Sequence, residues 1–483
     1  MEAYPIEVQP HWSRRIGAKS LAVSASGDYL FLEETDLLAL REGRVSELPL
    51  GLQAKLKARQ FTKAVTALGS ESLLLSRQAA RHGTLHEGPS LHIVVPTLQC
   101  AHSCQYCQVS RSLLDTGHTI TKEDLLSVCE SIFQSNARAL TVEFQGGDPL
   151  LRFDLVKAAI IRIKELNRVH QRSIRFVIAS TLHQLDKEIC AFLREHHVLL
   201  STSIDGPSSL HNRNRPVPGR DAYERTVRGI GLAREYLGFD AVSALMTTTK
   251  ASLSFPEAIV DEYVNLGFED IFLRPLSTYG FAKRNQALLG YEVIEFQQFY
   301  AKAFSRIIYW NKRGVPLREV YASIILNKIL SPFDTGYVDL QSPTGAGQSV
   351  LVYNYDGYVY PSDEARMLAE TGDVSLRLGK IGTPMSVLQK SVVQQALISS
   401  SLVAEMPDCH ACAYQNFCAP NPIDAQAQFG RMDAPPASTE HCQRHIWLFD
   451  FFFQRIQQAD PEMLDLFHAW AQPVKEARRL CDV

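Results

Sequence analysis

The chain has 483 residues, enough for two to four domains with hydrophobic cores of their own. Lys and Arg number 49 against 52 Asp and Glu, with no basic run, which argues against nucleic acid or an anionic membrane as the main partner. No apolar run reaches the length of a membrane span, and Met1–Glu7 lacks the basic-then-apolar order of a secretory signal. Ten cysteines are present, seven of them in two clusters roughly 300 residues apart. Clustered cysteines in a long chain point to metal or cluster ligation in a reducing cytosol, not to a disulfide framework.

Residues 1–88 read as a small module. Lys19–Glu33 is a β-hairpin turning at Ser26-Gly27-Asp28, Thr35–Arg41 a short helix, and Leu52–Gln60 a second one. From Leu91 strands and helices alternate. The expected strands are Leu91–Pro96, Leu140–Phe144, Ser173–Ala179, Val198–Ile204, Ala241–Met246 and Asp270–Arg274. The expected helices between and after them are Thr121–Phe133, Asp154–Leu166, Gln184–Glu195, Ala222–Tyr236 and Phe255–Leu266. Six β-α repeats imply a parallel sheet curled into part of a barrel. Ligands gather at the carboxyl ends of such strands. Those ends carry the first cysteines, Gly146-Gly147-Asp148-Pro149, Ser180-Thr181, Asp205-Gly206-Pro207 and Arg274-Pro275. Phe296–Trp310 reads as a helix, Ser349–Tyr360 as a hairpin turning at Asn354–Gly357, and His445–Phe453 as a buried terminal helix.

The first cysteine group is Cys100-x3-Cys104-x2-Cys107. A tight loop with this spacing points three thiolates at one iron–sulfur cubane and leaves one of its four irons open, whereas a fully ligated electron carrier uses four cysteines. Zinc is the alternative, with His102 or His118 as fourth ligand. The second group is Cys409-x2-Cys412-x5-Cys418 followed by Cys442. Four cysteines suffice for one fully ligated cluster or for a zinc ion. Cys129, Cys190 and Cys481 stand alone, the first two on apolar helix faces, where they read as buried thiols.

These residues carry a family resemblance. Cys100, Cys104 and Cys107, with aromatic Tyr106 before the last, resemble the cysteine motif of the radical S-adenosylmethionine (SAM) enzymes. The resemblance implies a [4Fe-4S] cluster whose open iron binds SAM and, on reduction, yields a 5′-deoxyadenosyl radical that abstracts hydrogen from carbon. Gly146-Gly147-Asp148-Pro149 resembles the family's Gly-Gly-Glu-Pro, with Asp148 where Glu is usual; the glycine backbone is expected at the SAM ammonium. By the same resemblance Ser180 and Ser203 are expected at the ribose and Arg215 at the SAM carboxylate. Ordinary strand-end capping for the serines and a solvated loop position for Arg215 are the alternatives.

The second cysteine group resembles the SPASM extension of peptide-modifying radical SAM enzymes. Tyr360-Pro361-Ser362-Asp363 resembles the family's Tyr-Pro-Cys-Asp, with Ser362 in place of a cysteine, and position 422, where another ligand would fall, is proline. One auxiliary [4Fe-4S] cluster is therefore expected, not two. Asp363 is the candidate general base by motif position; a plain hairpin-end carboxylate is its alternative. The combined motifs look most like the B-type maturase of the His-Xaa-Ser peptide system. The expected architecture is an α/β partial (β/α)6 TIM-like barrel over 89–330, after a winged-helix-like leader-recognition module over 1–88 and before a SPASM-like domain over 331–483. The expected partners are a small ribosomally made precursor peptide, docked on the N-terminal module, and an electron donor such as flavodoxin or ferredoxin. The competing readings are a sulfatase-type maturase that forms formylglycine and a non-catalytic iron–sulfur or zinc scaffold.

Overall fold

The computed structural model describes residues 6–64, 70–109, 111–113, 116–277, 279–333 and 335–472. The N-terminal segment builds a three-stranded antiparallel sheet from β1 (His11–Ile16), β2 (Lys19–Ser24) and β3 (Tyr29–Leu32). The helices Glu34–Arg41 and Leu50–Ala58 follow, close to expectation. One sheet face closes a small core with Leu37, Leu40, Leu56 and Phe61. The alternate residues Ile16, Leu21 and Val23 join the main core instead. A helix at Ser70–His86 was not anticipated from the sequence.

The main sheet has nine strands. In chain order they are β4 (Leu91–Thr97), β5 (Ala139–Gly146), β6 (Ser173–Ala179), β7 (Val198–Ser203), β8 (Val242–Thr247), β9 (Leu273–Arg274), β10 (Val350–Tyr353), β11 (Tyr358–Tyr360) and β12 (Gly379–Lys380). Their spatial order is β9-β8-β7-β6-β5-β4-β10-β11-β12. Strands β4 to β9 run parallel and neighbour one another in sequence order, as the β-α rhythm requires. Alternation sorts the side chains. Leu140, Val142, Phe144, Phe176, Ile178, Val198 and Leu200 enter the core under the helices. Thr141, Glu143, Gln145 and Arg175 take the other face, where Arg175 Nη2 donates to Thr141 Oγ1 at 3.3 Å.

The helices start where local chemistry favours a start. Thr121 Oγ1 accepts from the Asp124 amide ahead of α1 (Lys122–Ile132). Asp186 caps α2 (Lys187–Glu195) through the Ile189 amide. Cys129 and Cys190 are fully buried on these two helices, as expected, and Cys481 lies outside the described residues. The short helix α3 (Ser208–Asn214) was not anticipated; it delivers Arg215 to the strand ends.

Two expectations need correction. The sixth strand is broken: Asp270–Ile271 pairs with Arg318–Glu319, and only β9 stays in the main sheet. The buried Glu319 carboxylate takes the Leu273 amide, the Tyr300 hydroxyl and the Ala322 amide, which holds the chain over to the neighbouring strand. The His445–Phe453 stretch is not terminal. It belongs to α4 (Glu440–Gln458), which Pro461–Ala471 follows.

The 349–360 hairpin forms as expected at Asn354–Gly357, and its first strand, β10, pairs parallel with β4. The barrel sheet therefore continues beyond residue 330. The N-terminal module rests on α4: Tyr29 and Phe31 meet the Phe453 ring edge-on, and Arg14 forms a two-bond ion pair with Asp450 at 2.6 and 2.8 Å. Among the described residues no helix is long and apolar enough to cross a membrane.

Candidate functional site

The cysteine loop leaves the carboxyl end of β4 and is held by backbone bonds along its length. Cys100 N donates to Ser112 O, Ser103 N to Pro216 O, and Phe281 N to Cys107 O, at 2.9–3.0 Å. Cys100 and Cys104 are buried and Cys107 partly so. Burial pushes the Cys104 thiol up to about 11 against the pull of Arg215. Ligation needs thiolates, and only nearby positive charge such as that of iron makes them favourable here. The two histidines held open as fourth ligands are engaged elsewhere: the His102 ring meets His183 at 3.3 Å, and His118 Nδ1 lies 2.9 Å from Thr116 O. That leaves three cysteines as the donor set of the loop, which fits a cluster with one open iron.

The Gly146-Gly147 pair is stitched to this loop. Gly147 N donates to Thr97 O at 2.9 Å and Asp148 N to Gln99 O at 2.7 Å. Gly146 has φ +125°. A Cβ on Gly147 would fall inside van der Waals contact of Leu98 O and Gln99 O. Both positions thus require glycine for close backbone approach. The Asp148 carboxylate is fully buried and turned into the protein. It accepts from Leu150 N, Ser180 Oγ, Thr181 N and the Thr181 hydroxyl. It ties the end of β5 to the end of β6, and the Ser180 hydroxyl proton is committed to it. Ser203 is partly exposed at the end of β7.

Arg215 and Tyr106 meet, with a third partner that sequence reasoning noted only as strand-end punctuation. Arg215 Nη1 donates to Tyr106 Oη at 2.7 Å, and that hydroxyl lies 2.8 and 3.0 Å from the oxygens of fully buried Asp205. Burial raises the Asp205 carboxyl and Arg215 pulls it down. The chain Arg215–Tyr106–Asp205 fastens the cysteine loop to the β7 end. Tyr106→Phe removes the shared hydroxyl from two charged groups. The expected result is a loss of about 1–3 kcal/mol of stability, read by thermal unfolding.

Glu143 lies on the inner face two residues before Gln145, whose Nε2 donates to it at 2.9 Å. Burial pushes its carboxyl up to about 7; Asp363 adds to the rise, while Gln145, Arg175 and Arg274 oppose it. A folded-state value above the ordinary one means that Glu143 favours folding at low pH and loses that contribution as pH rises towards about 7. Glu143→Gln is therefore expected to be more stable than wild type above pH 7, on the order of 1–2 kcal/mol, with the gap closing below pH 4.5 in urea unfolding at each pH.

Asp363 opens the helix α5 (Asp363–Ala369), capped by Ser362, whose Oγ accepts from the Ala365 amide at 3.3 Å. Its Oδ1 accepts two bonds from fully buried Arg366, at 2.9 and 2.6 Å. Pro422 also begins a helix, Pro422–Phe429, capped by Asn421. Both positions where the sequence lacks a ligand cysteine thus have helix-start roles. Cys409, Cys412, Cys418 and Cys442 line one cavity of about 90 Å³ walled by Tyr414, Ile446 and Phe449. A zinc ion draws four sulfurs to within about 2.3 Å of one point and needs no such space. Among the described residues no group of three or more His, Cys, Asp or Glu is arranged for a single metal ion. His441 and His445, beside Cys442, bond to Ala419 O and Tyr321.

Residues 94–250 match the model of the radical SAM superfamily. The chain carries a radical SAM domain. That domain spans β4 to β8 and includes the cysteine loop, Gly146-Gly147, Ser180, Ser203 and Arg215. An uncharacterized protein of Archaeoglobus fulgidus is 23% identical over 342 residues, 70% of this chain and 75% of its own length. Among solved structures, native anSMEcpe with bound AdoMet and Kp18Cys peptide aligns with a TM-score of 0.65 at 18% identity, over 77% of this chain and 99% of that one. Streptococcus suis SuiB bound to precursor peptide SuiA aligns at 0.55 and 12%, over 91% and 100%. At these identities the structural likeness establishes the fold. The radical SAM domain implies a [4Fe-4S] cluster and SAM, and the three-cysteine donor set fits them.

Proposed function

We propose that the chain is a radical SAM maturase that oxidatively modifies side chains of a small ribosomally made peptide, cross-linking included. One observation carries the reading. A three-cysteine loop is bonded to a Gly-Gly strand end beside a polar inner sheet face, and a second, four-cysteine cavity sits in the same chain. When bound, the cluster and SAM supply a carbon-centred radical; the protein orients and shelters it. Cys100, Cys104 and Cys107 hold the cluster. The Gly146–Gly147 backbone faces the SAM ammonium, and Arg215 and Ser203 supply polar contacts. Cys409, Cys412, Cys418 and Cys442 hold one auxiliary cluster.

The peptide partner is supported by the two structural relatives, both solved with peptides. In the N-terminal module, strands β1 and β3 each pair, among the described residues, only with β2, so each offers an edge that a leader peptide can extend. The motifs of the loop, the Gly-Gly strand end and Tyr360–Glu364 favour the B-type maturase of the His-Xaa-Ser system, working in the cytoplasm with a flavodoxin- or ferredoxin-type donor. A sulfatase-type maturase is the second reading, favoured by Asp363 at the motif position and by the likeness to anSMEcpe.

The test is anaerobic reconstitution followed by chromatography for 5′-deoxyadenosine and mass spectrometry of offered peptides. A peptide with His-Xaa-Ser repeats is expected to lose hydrogen. Conversion of a sulfatase-type Cys peptide to formylglycine would favour the second reading. SAM cleavage no faster than in the Cys100→Ala variant would sink both. Iron content of about eight per chain is expected, and about twelve would contradict a single auxiliary cluster.

A further inference from the structure

Arg366 is the largest fully buried side chain among the described residues. Its Nε and Nη2 both donate to Asp363 Oδ1, and its buried Nη1 has no partner in the protein. An unpaired N–H on a buried cation is costly, by 1–3 kcal/mol or more in general, so its position asks for an acceptor. The helix α5 that carries it shares a core with the residues that flank the cysteine loop. Ala365, Met367 and Leu368 share one core cluster with Val95 and Leu98, before Cys100, and with Val109, after Cys107. The charged groups that act on the guanidinium are Asp363, Glu370 and Cys107; Glu370 is itself bonded by Tyr355 at 3.2 Å. Burial would lower the guanidinium's pKa, and these three groups together hold it above its ordinary value.

We propose that Arg366 is a positioning residue for the cluster at Cys100, Cys104 and Cys107, acting as a fixed buried cation that favours its reduced state. This rests on the reading that the loop holds a [4Fe-4S] cluster. A reduced cubane core with three thiolates carries net negative charge. Net charge and hydrogen bonds to sulfur are among the quantities that set a cluster's potential. An orphaned guanidinium N–H is the kind of donor that a cluster sulfur accepts, and a cation in a low-dielectric site acts strongly on an added electron. Asp363 tempers that charge through its double bond to the same guanidinium. The pair thereby links the loop to the inner sheet face, where Glu143 responds to Asp363. A helix brace alone would account for the Asp363–Arg366 pair, but it leaves the buried Nη1 without an acceptor.

The experiment is an EPR-monitored redox titration of the full reconstituted chain, following the signal that changes on addition of SAM. Arg366→Gln is expected to make reduction of that cluster at least tenfold less favourable, about 59 mV for a one-electron couple, with the other signal unmoved. Arg366→Lys, which keeps the charge, is expected to recover most of the loss. Asp363→Asn, which leaves the cation uncompensated, is expected to shift the same signal in the opposite direction. If Arg366→Gln fails to take up iron, Asp363→Asn decides the matter, and an unshifted SAM-responsive signal in that variant would overturn the proposal. An Arg366→Gln protein with full iron, an intact SAM response and less than a twofold change in the reduction equilibrium would overturn the proposal while leaving the cluster assignment standing. A wild-type protein with no SAM-responsive signal would overturn both.

Discussion

Alanine at Cys100, Cys104 and Cys107 is expected to lower reductive SAM cleavage by more than about 100-fold and to reduce bound iron from about eight to about four per chain. The size follows from rank. Loss of groups that merely support a ligand costs 10–100-fold, and here the ligands themselves are removed. Cys100 and Cys104 are already buried, and their loop is fixed to Ser112, Pro216 and Phe281 by backbone bonds. Alanine therefore fits the same space, and the fold is expected to survive. Circular dichroism and thermal unfolding separate loss of chemistry from loss of structure. On the proposed reading the remaining iron is expected at the C-terminal cysteines, which gives the measurement an internal control. A triple variant that cleaved SAM within tenfold of wild type would show that the loop is not the cleavage site.

Gly147→Ala is expected to cost about 3 kcal/mol and to abolish the SAM-responsive EPR signal together. The added Cβ meets Leu98 O, Leu98 C and Gln99 O, all backbone, so no flexible side chain yields. The strand end must separate from the run into Cys100, breaking the bonds Gly147 N–Thr97 O and Asp148 N–Gln99 O. Gly51, in a helix and with open space around its Cβ, is the control: Gly51→Ala should leave the EPR signal unchanged and cost no stability. If Gly147→Ala bound SAM normally and unfolded like wild type, the pair would be needed for neither packing nor ligand approach.

Parts of this site were legible before any coordinates. The cysteine loop and the Gly-Gly strand end sit at strand carboxyl ends, as β-α periodicity implies, whereas Arg215 was expected from the resemblance alone. Other parts were not. Asp148 reads as a ligand-side acid by motif, yet its carboxylate is spent on Ser180, Thr181 and Leu150. Ser362 reads as a lost cysteine, yet it caps a helix. The sequence names side chains; which neighbour each one faces depends on strands brought together over long separations.

Local chemistry determined five of the six parallel strands, the capped helices between them, the 349–360 turn and the spacing of both cysteine groups. Each rests on periodicity, turn residues and caps within a dozen positions. Only the tertiary structure decided that β10 extends the barrel sheet beside β4, that Asp205 and Arg215 share Tyr106, and that Arg366 is fully buried. The reason is that pairing order and burial are set by packing the whole core at once. A hairpin carries no local mark of which edge it will join, and an arginine carries none of the acceptor it will face.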